Sequence, residues 1–230
     1  MGEWYNYPVN LKPLFQHLFD AYGPQHWWPG ETAHEMIIGA MLVQNTNWNN
    51  VKRAIDNLRE AGLLDPHALV AIPVEELEEL LRPAGYFRIK ARRLRNLMEW
   101  LVDRYDGSLE RMFQTPLVEL RRELLAVNGV GPETADSILL YAGRLPTFVV
   151  DTYTHRVLAR HGWVDFDAGY ETIKELFESS LPDDVQLFNE FHALLVRVGK
   201  QHCKKQPLCD GCPLARLLPA GGPLKPEWEV

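Results

Sequence analysis

The sequence predicts an all-α protein, on three observations. Apolar residues recur at helical spacing along most of the 230 residues, no stretch sustains the period-2 alternation of a half-buried strand, and glycine or proline closes the helical segments. In chain order, helices are expected near residues 11–22, 32–43, 48–61, 74–80, 87–105, 116–127, 133–142, 152–161, 170–179 and 184–202. Gly62, Pro66, Pro73, Pro83, Gly85, Gly107 and Pro146 mark stops, and the Pro- and Gly-rich final residues read as a loose tail. No repeat of solenoid length and no low-complexity segment interrupts this pattern.

A hydrophobic fraction of 46% and a mean hydropathy of -0.23 suit a globular chain with length enough for a buried core. The longest apolar run, residues 36–43, falls far short of the ~20 residues that cross a bilayer, so no membrane association is expected. The opening MGEWYNYPVN has neither a basic nor an apolar leader region, which makes a cytoplasmic location the expectation. A net charge of -7 and a pI near 5.6 argue, as sums, against nucleic acid. Distribution matters more: Arg82, Arg88, Lys90, Arg92, Arg93 and Arg95 crowd one segment. That cluster reads either as a solvated helix face or as a set of phosphate contacts.

The most informative stretch is 124–151, LLAVNGVGPETADSILLYAGRLPTFVVD. Two helical patterns flank the turn Val127-Asn128-Gly129-Val130-Gly131, where glycines can take positive φ and let another backbone approach. Pro132 suits a first helical turn, so the amides of Gly129, Gly131 and Glu133 fall near a helix N-terminus, an arrangement that binds anions such as phosphate. Asp151 stands where the next helix begins. By itself that aspartate is an N-cap; kept ionised by the helix amides, it is also a fixed negative charge.

Leu-X4-Gly-Val-Gly followed by Thr-Ala, an apolar helix and Val-Val-Asp-Thr resembles the helix-hairpin-helix and catalytic aspartate of the endonuclease III superfamily of DNA glycosylases. The resemblance covers roughly residues 10–212. It implies two all-α lobes with a DNA-binding groove between them: a six-helix lobe over about 31–143 ending in the hairpin, and a second lobe from 1–30 with 144–230. It also implies a protein that acts on damaged double-stranded DNA, is associated with the nucleoid when bound, and is a monomer. Asp151 would stabilise the oxocarbenium-like sugar formed as an N-glycosidic bond breaks. The hairpin (Gly129, Val130, Gly131, Glu133) and basic residues including Arg88 and Lys90 would hold the duplex.

Bifunctional members of the family carry a lysine two residues after the second hairpin glycine; here that residue is Glu133. A carboxylate cannot form a Schiff base, so a monofunctional glycosylase without AP-lyase activity is expected. Trp27-Trp28-Pro29, then Gln44-Asn45-Thr46 and Trp48, resemble the 3-methyladenine glycosylase branch, which implies a base pocket of Trp27, Trp28, Pro29 and Trp48. Indole faces attract the positive charge of an alkylated purine. Gln44 and Asn45 would fill the gap left by an extruded nucleotide, or simply end an apolar helix. Lys200 matches a pocket lysine of that branch, or is a solvated helix-end residue; the second pocket lysine is replaced by Leu194. Oxidised or deaminated pyrimidines and mismatches are an alternative substrate class, and a DNA-structure-binding protein without catalysis is a second alternative.

All three cysteines lie in Cys203-X5-Cys209-X2-Cys212. Many family members bind a [4Fe–4S] cluster with Cys-X6-Cys-X2-Cys-X5-Cys, which implies an iron–sulfur cluster here. The first gap is one residue shorter and the fourth place is Leu218, so a ligand such as His202, Asp210 or water would be needed. Zinc held by three Cys and one His, or a loop with free thiols, are the other readings.

Overall fold

The computed structural model describes residues 9–27 and 30–226, and every regular element among them is helical. Trp28 and Pro29 lie outside the described residues. The helices are α1 (Leu11–Tyr22), α2 (Ala33–Leu42), α3 (Trp48–Glu60), α4 (Pro66–Ala71), α5 (Val74–Leu81) and α6 (Phe87–Tyr105). They continue as α7 (Leu109–Phe113), α8 (Leu117–Ala126), α9 (Pro132–Ser137), α10 (Thr152–Arg160), α11 (Tyr170–Ser180) and α12 (Val185–Gln201). Two of these, α4 and α7, were not expected. Pro66 is the first residue of α4 rather than a stop, because Asp65 ahead of it caps the Ala68 amide and proline is tolerated where the amide would be unpaired anyway. The expected helix 133–142 changes hand-over at Ile138, where α9 passes into a π-helical turn, Ile138–Ala142.

The chain divides into two compact units, Met1–Trp27 with Pro146–Val230, and Trp28–Leu145; the resemblance had placed the divisions at 31 and 143. The second unit holds α2 to α9 and the π turn. Its centre is α6, whose Leu94, Leu97, Met98 and Leu101 follow i, i+3, i+4, i+7 spacing and are buried against α4 and α5. Helix α2 is apolar nearly all round and correspondingly buried, from Met36 to Leu42. The ring of Trp48 packs so closely on Gly39 that a Cβ there would lie 2.8 Å from it.

The first unit joins α1, α10, α11 and α12. Leu11, Leu14 and Leu18 line the buried stripe of α1, which packs on α12. The core is aromatic: Phe148 stacks on Phe177 at 3.7 Å, and Phe188 and Phe191 meet Phe148 edge-on. Helices α10 and α12 cross at Gly199, where any Cβ would overlap the Tyr153 ring. That close approach carries the start of α10, and with it Asp151, toward the side chains of α12.

Candidate active site

In the first unit, the side chain of Asp151 caps α10: its Oδ1 accepts the Thr154 amide at 2.7 Å. Its other oxygen, Oδ2, faces Nε2 of His192 on α12 at 3.6 Å, and both side chains are about nine-tenths buried. Burial pushes the Asp151 carboxyl upward, but His192 and the hydrogen bonding at Thr154 outweigh it, and the net shift is downward from the ordinary carboxylate value. The group is therefore a carboxylate at neutral pH. Around it, the indole of Trp27 meets the imidazole of His192 edge-on, 6.4 Å between centroids, and the Lys200 ammonium lies 5.4 Å from the Trp27 ring centre. Among the described residues, the buried Trp27 indole N–H meets no hydrogen-bond acceptor. Asp151, Trp27 and Lys200 were expected from the sequence; His192 was not. Its signal was present, since it occupies an apolar stripe with Phe188, Phe191 and Leu195, where a polar side chain needs a reason to be buried.

In the second unit, α8 and α9 form the hairpin. Gly129 has φ +102°, and a Cβ on it would lie 2.8 Å from Cβ of Arg93 and overlap the rest of its stem, so this position requires glycine for backbone and space alike. Gly131, by contrast, faces open space, and among the described residues neither its amide nor that of Gly129 donates to a backbone carbonyl. Val130 is buried, and its amide closes the turn on the Val127 carbonyl at 3.0 Å. Glu133 is exposed in the first turn of α9. Arg121 of α8 grips the fully buried Asp136 of α9 with two bonds of 2.8 and 3.0 Å, bracing the hairpin from within. Gly129→Ala is expected to cost about 1–2 kcal/mol, read as a lower thermal midpoint; an unchanged midpoint would show that Arg93 yields freely.

Gln44 is tied in at both ends: its Oε1 accepts from Arg93 at 2.7 Å and its Nε2 donates to the Thr134 hydroxyl at 3.0 Å. Asn45 beside it is exposed in the left-handed region, φ 54°. Trp48 packs against the second unit's core, on Gly39, which is a structural duty sufficient to explain it.

The basic segment needs correcting. Lys90 is 3% exposed, and its ammonium donates to the Ala84 carbonyl at 2.7 Å, so it braces the turn before α6 and is not presented to a phosphate. Burial pushes its amine downward. Arg95 likewise turns inward to the carbonyls of Val70 and Ile72. Arg88 is exposed, 3.6 Å from Glu78, and remains presentable. Just before it, Tyr86 was overlooked by the sequence reading: it is 71% exposed and held at φ 47° at the start of α6. A bulky residue in that conformation is uncommon and points to use.

The cysteines do not make a ready metal centre. Among the described residues, no three His, Cys, Asp or Glu side chains are grouped so as to hold a metal ion, and the place of a fourth thiolate is Leu218. The three thiols therefore do not fit a four-thiolate cluster. Instead Arg160 and Arg156 hold the loop: Arg160 donates to the carbonyls of Lys204 and Lys205 at 2.5 and 2.8 Å and lies 3.4 Å from the Cys203 sulfur, while Arg156 donates to the Cys203 carbonyl at 2.6 Å. Burial, followed for Cys209 by the neighbouring Cys203 thiol, raises the thiols of Cys209 and Cys212.

The family model described as HhH-GPD superfamily base excision DNA repair protein matches residues 38–183 of this chain. The protein MJ1434 of Methanocaldococcus jannaschii, provisionally named a DNA repair glycosylase, is 47% identical over 206 residues, 89% of this chain and 93% of that protein. Endonuclease III of Thermotoga maritima is 32% identical over 178 residues, 77% of this chain and 78% of its own length. Among solved structures, a trapped endonuclease III–DNA covalent intermediate matches with a TM-score of 0.78 at 27% identity, over 90% of this chain and 93% of that one. The H. pylori 3-methyladenine DNA glycosylase bound to 1,N6-ethenoadenine matches with a TM-score of 0.73 at 26% identity, over 84% and 98%.

Proposed function

We propose, since this chain belongs to the HhH-GPD superfamily of base excision DNA repair proteins, that it is a monofunctional DNA glycosylase releasing alkylated purines such as 3-methyladenine from duplex DNA. The observation that carries the reaction type is Asp151: a buried carboxylate kept ionised by a helix N-terminus and a facing imidazole. When the C1′–N bond of an extruded nucleotide breaks, its electron pair leaves with the base and the sugar becomes an oxocarbenium-like cation. A fixed carboxylate stabilises that charge and orients the water whose oxygen then bonds C1′, leaving an abasic site. Glu133 at the place of the lyase lysine supports the monofunctional half of the reading.

For the duplex, the amides of Gly129 and Gly131, which give no backbone hydrogen bond among the described residues, suit a phosphate, Arg88 supplies exposed charge, and the exposed Tyr86 would wedge between bases while a nucleotide leaves the stack. Gln44 would have to exchange its bonds to Arg93 and Thr134 to fill the gap.

A second reading, a neutral oxidised or deaminated pyrimidine as substrate, is favoured by one observation. The Lys200 ammonium sits against a face of Trp27, where its charge disfavours a cationic base and suits the carbonyl of a neutral one. Release of 3-methyladenine and 7-methylguanine from methylated duplex, with strand breaks that appear only after hot alkali, is the expected result. Turnover confined to thymine glycol or uracil duplexes would transfer the assignment to the second reading, and strand breaks without alkali would end the monofunctional one.

A further inference from the structure

Asp151 is held by different means at its two oxygens. The Thr154 amide fixes Oδ1, while Oδ2 is met by Nε2 of His192 at 3.6 Å. That distance is longer than a formed hydrogen bond, yet too short to admit a bridging water with a normal bond on each side in line. The two groups therefore address each other directly, and a closure of well under an ångström makes the bond.

The imidazole has little freedom to turn away. Trp27 meets it at 84° and Phe148 at 87°, with centroids 6.4 and 6.5 Å distant, so its plane is set by two nearly perpendicular rings. Phe148 is itself locked in the stack with Phe177. The other charged groups on the surrounding elements are already engaged. On α12, Glu190 accepts the Gln25 amide, Arg197 lies over Tyr22 and donates to Gln25, and Lys200 lies over Trp27. On α11, Lys174 pairs with Glu178, which also accepts the Phe148 amide. On α10, His155 is itself partly buried, and at the start of α11 the Tyr170 hydroxyl accepts from the Val150 amide at 3.4 Å. Asp151 is the charged group that Nε2 of His192 faces.

We propose that His192 is a positioning residue for Asp151: its Nε2 faces Oδ2 and aims the carboxylate, as the Thr154 amide fixes Oδ1. The inference rests on the glycosylase reading for its catalytic consequence, while the pairing itself does not. A carboxylate oxygen held toward one direction is already aimed when the sugar cation forms, so the reaction does not have to orient it.

Two measurements test this on the full chain. In NMR spectra of the histidine ring nitrogens at neutral pH, the His192 signals are expected to shift in Asp151→Asn while those of His161 stay in place; unmoved His192 signals overturn the pairing. In single-turnover base release, His192→Gln, which still offers a donor toward Oδ2, is expected to run within about tenfold of wild type. His192→Ala should fall about a hundredfold, with DNA affinity kept in both. A His192→Gln rate no better than that of His192→Ala overturns the positioning role. If wild type releases no base from any lesion, the glycosylase reading and the catalytic consequence both fail, and the NMR shift then separately decides whether the pairing exists.

Discussion

Asp151→Asn is expected to lower base release at least about a thousandfold while leaving affinity for lesion-bearing duplex near that of wild type. The choice of asparagine isolates charge from structure. Asparagine caps a helix about as well as aspartate does, so the bond to the Thr154 amide can survive. What disappears is the negative charge that the proposed reaction sets against the sugar cation, together with the pairing to His192. The same carboxylate carries a signed pH dependence. Its folded value lies below the ordinary one, so its contribution to stability is complete above the unfolded pKa of about 3.9 and is lost as pH falls through the depressed folded value. Wild type should therefore lose stability in that acid window and Asp151→Asn should not, a difference that thermal melts from neutral pH downward would expose. Loss of DNA affinity and base release together in Asp151→Asn would assign the residue to the helix cap alone.

The second large effect is expected inside the hairpin. Asp136→Ala should cost about 3–5 kcal/mol, because it removes from beside the mostly buried Arg121 guanidinium a two-pronged carboxylate that is 0% exposed. For a chain of this size, that corresponds to a fall in the thermal midpoint of roughly 2–4 °C per kcal/mol. Replacing both members with apolar residues of similar volume, Arg121→Met with Asp136→Leu, should recover much of the loss, since a buried pair is costly to break and cheap to exchange whole. A midpoint for Asp136→Ala within a degree or two of wild type would mean that the pair does not brace α8 against α9. Weakened DNA affinity should accompany the destabilisation, because the turn that presents the Gly129 and Gly131 amides hangs between those two helices.

Much of this was legible in residue order because it is local. The period of α6 announces its apolar stripe, and the same spacing already marks Lys90 as buried, since it continues the line of Leu94, Leu97 and Leu101. Reading the charge cluster 82–95 as a surface ignored that periodicity, and the structure sends Lys90 and Arg95 to backbone carbonyls instead. Pro66 was misread because its meaning depends on Asp65, a cap that turns a stop into a start. The hairpin glycines and the aspartate beyond them form a local motif, and the family followed from it.

The sequence by itself thus determined the all-α class, the hairpin, Asp151 as an ionised cap and the absence of a lyase lysine at position 133, each a matter of neighbours within a few turns. Only the tertiary structure decided which side chains meet. His192 reaches Asp151 because α10 and α12 close on each other at Gly199, Gln44 is bound by Arg93 and Thr134 from other helices, and arginines of α10 hold the cysteine loop. Those partners lie tens of residues apart, and no periodicity encodes a contact that is fixed by how two packed helices cross.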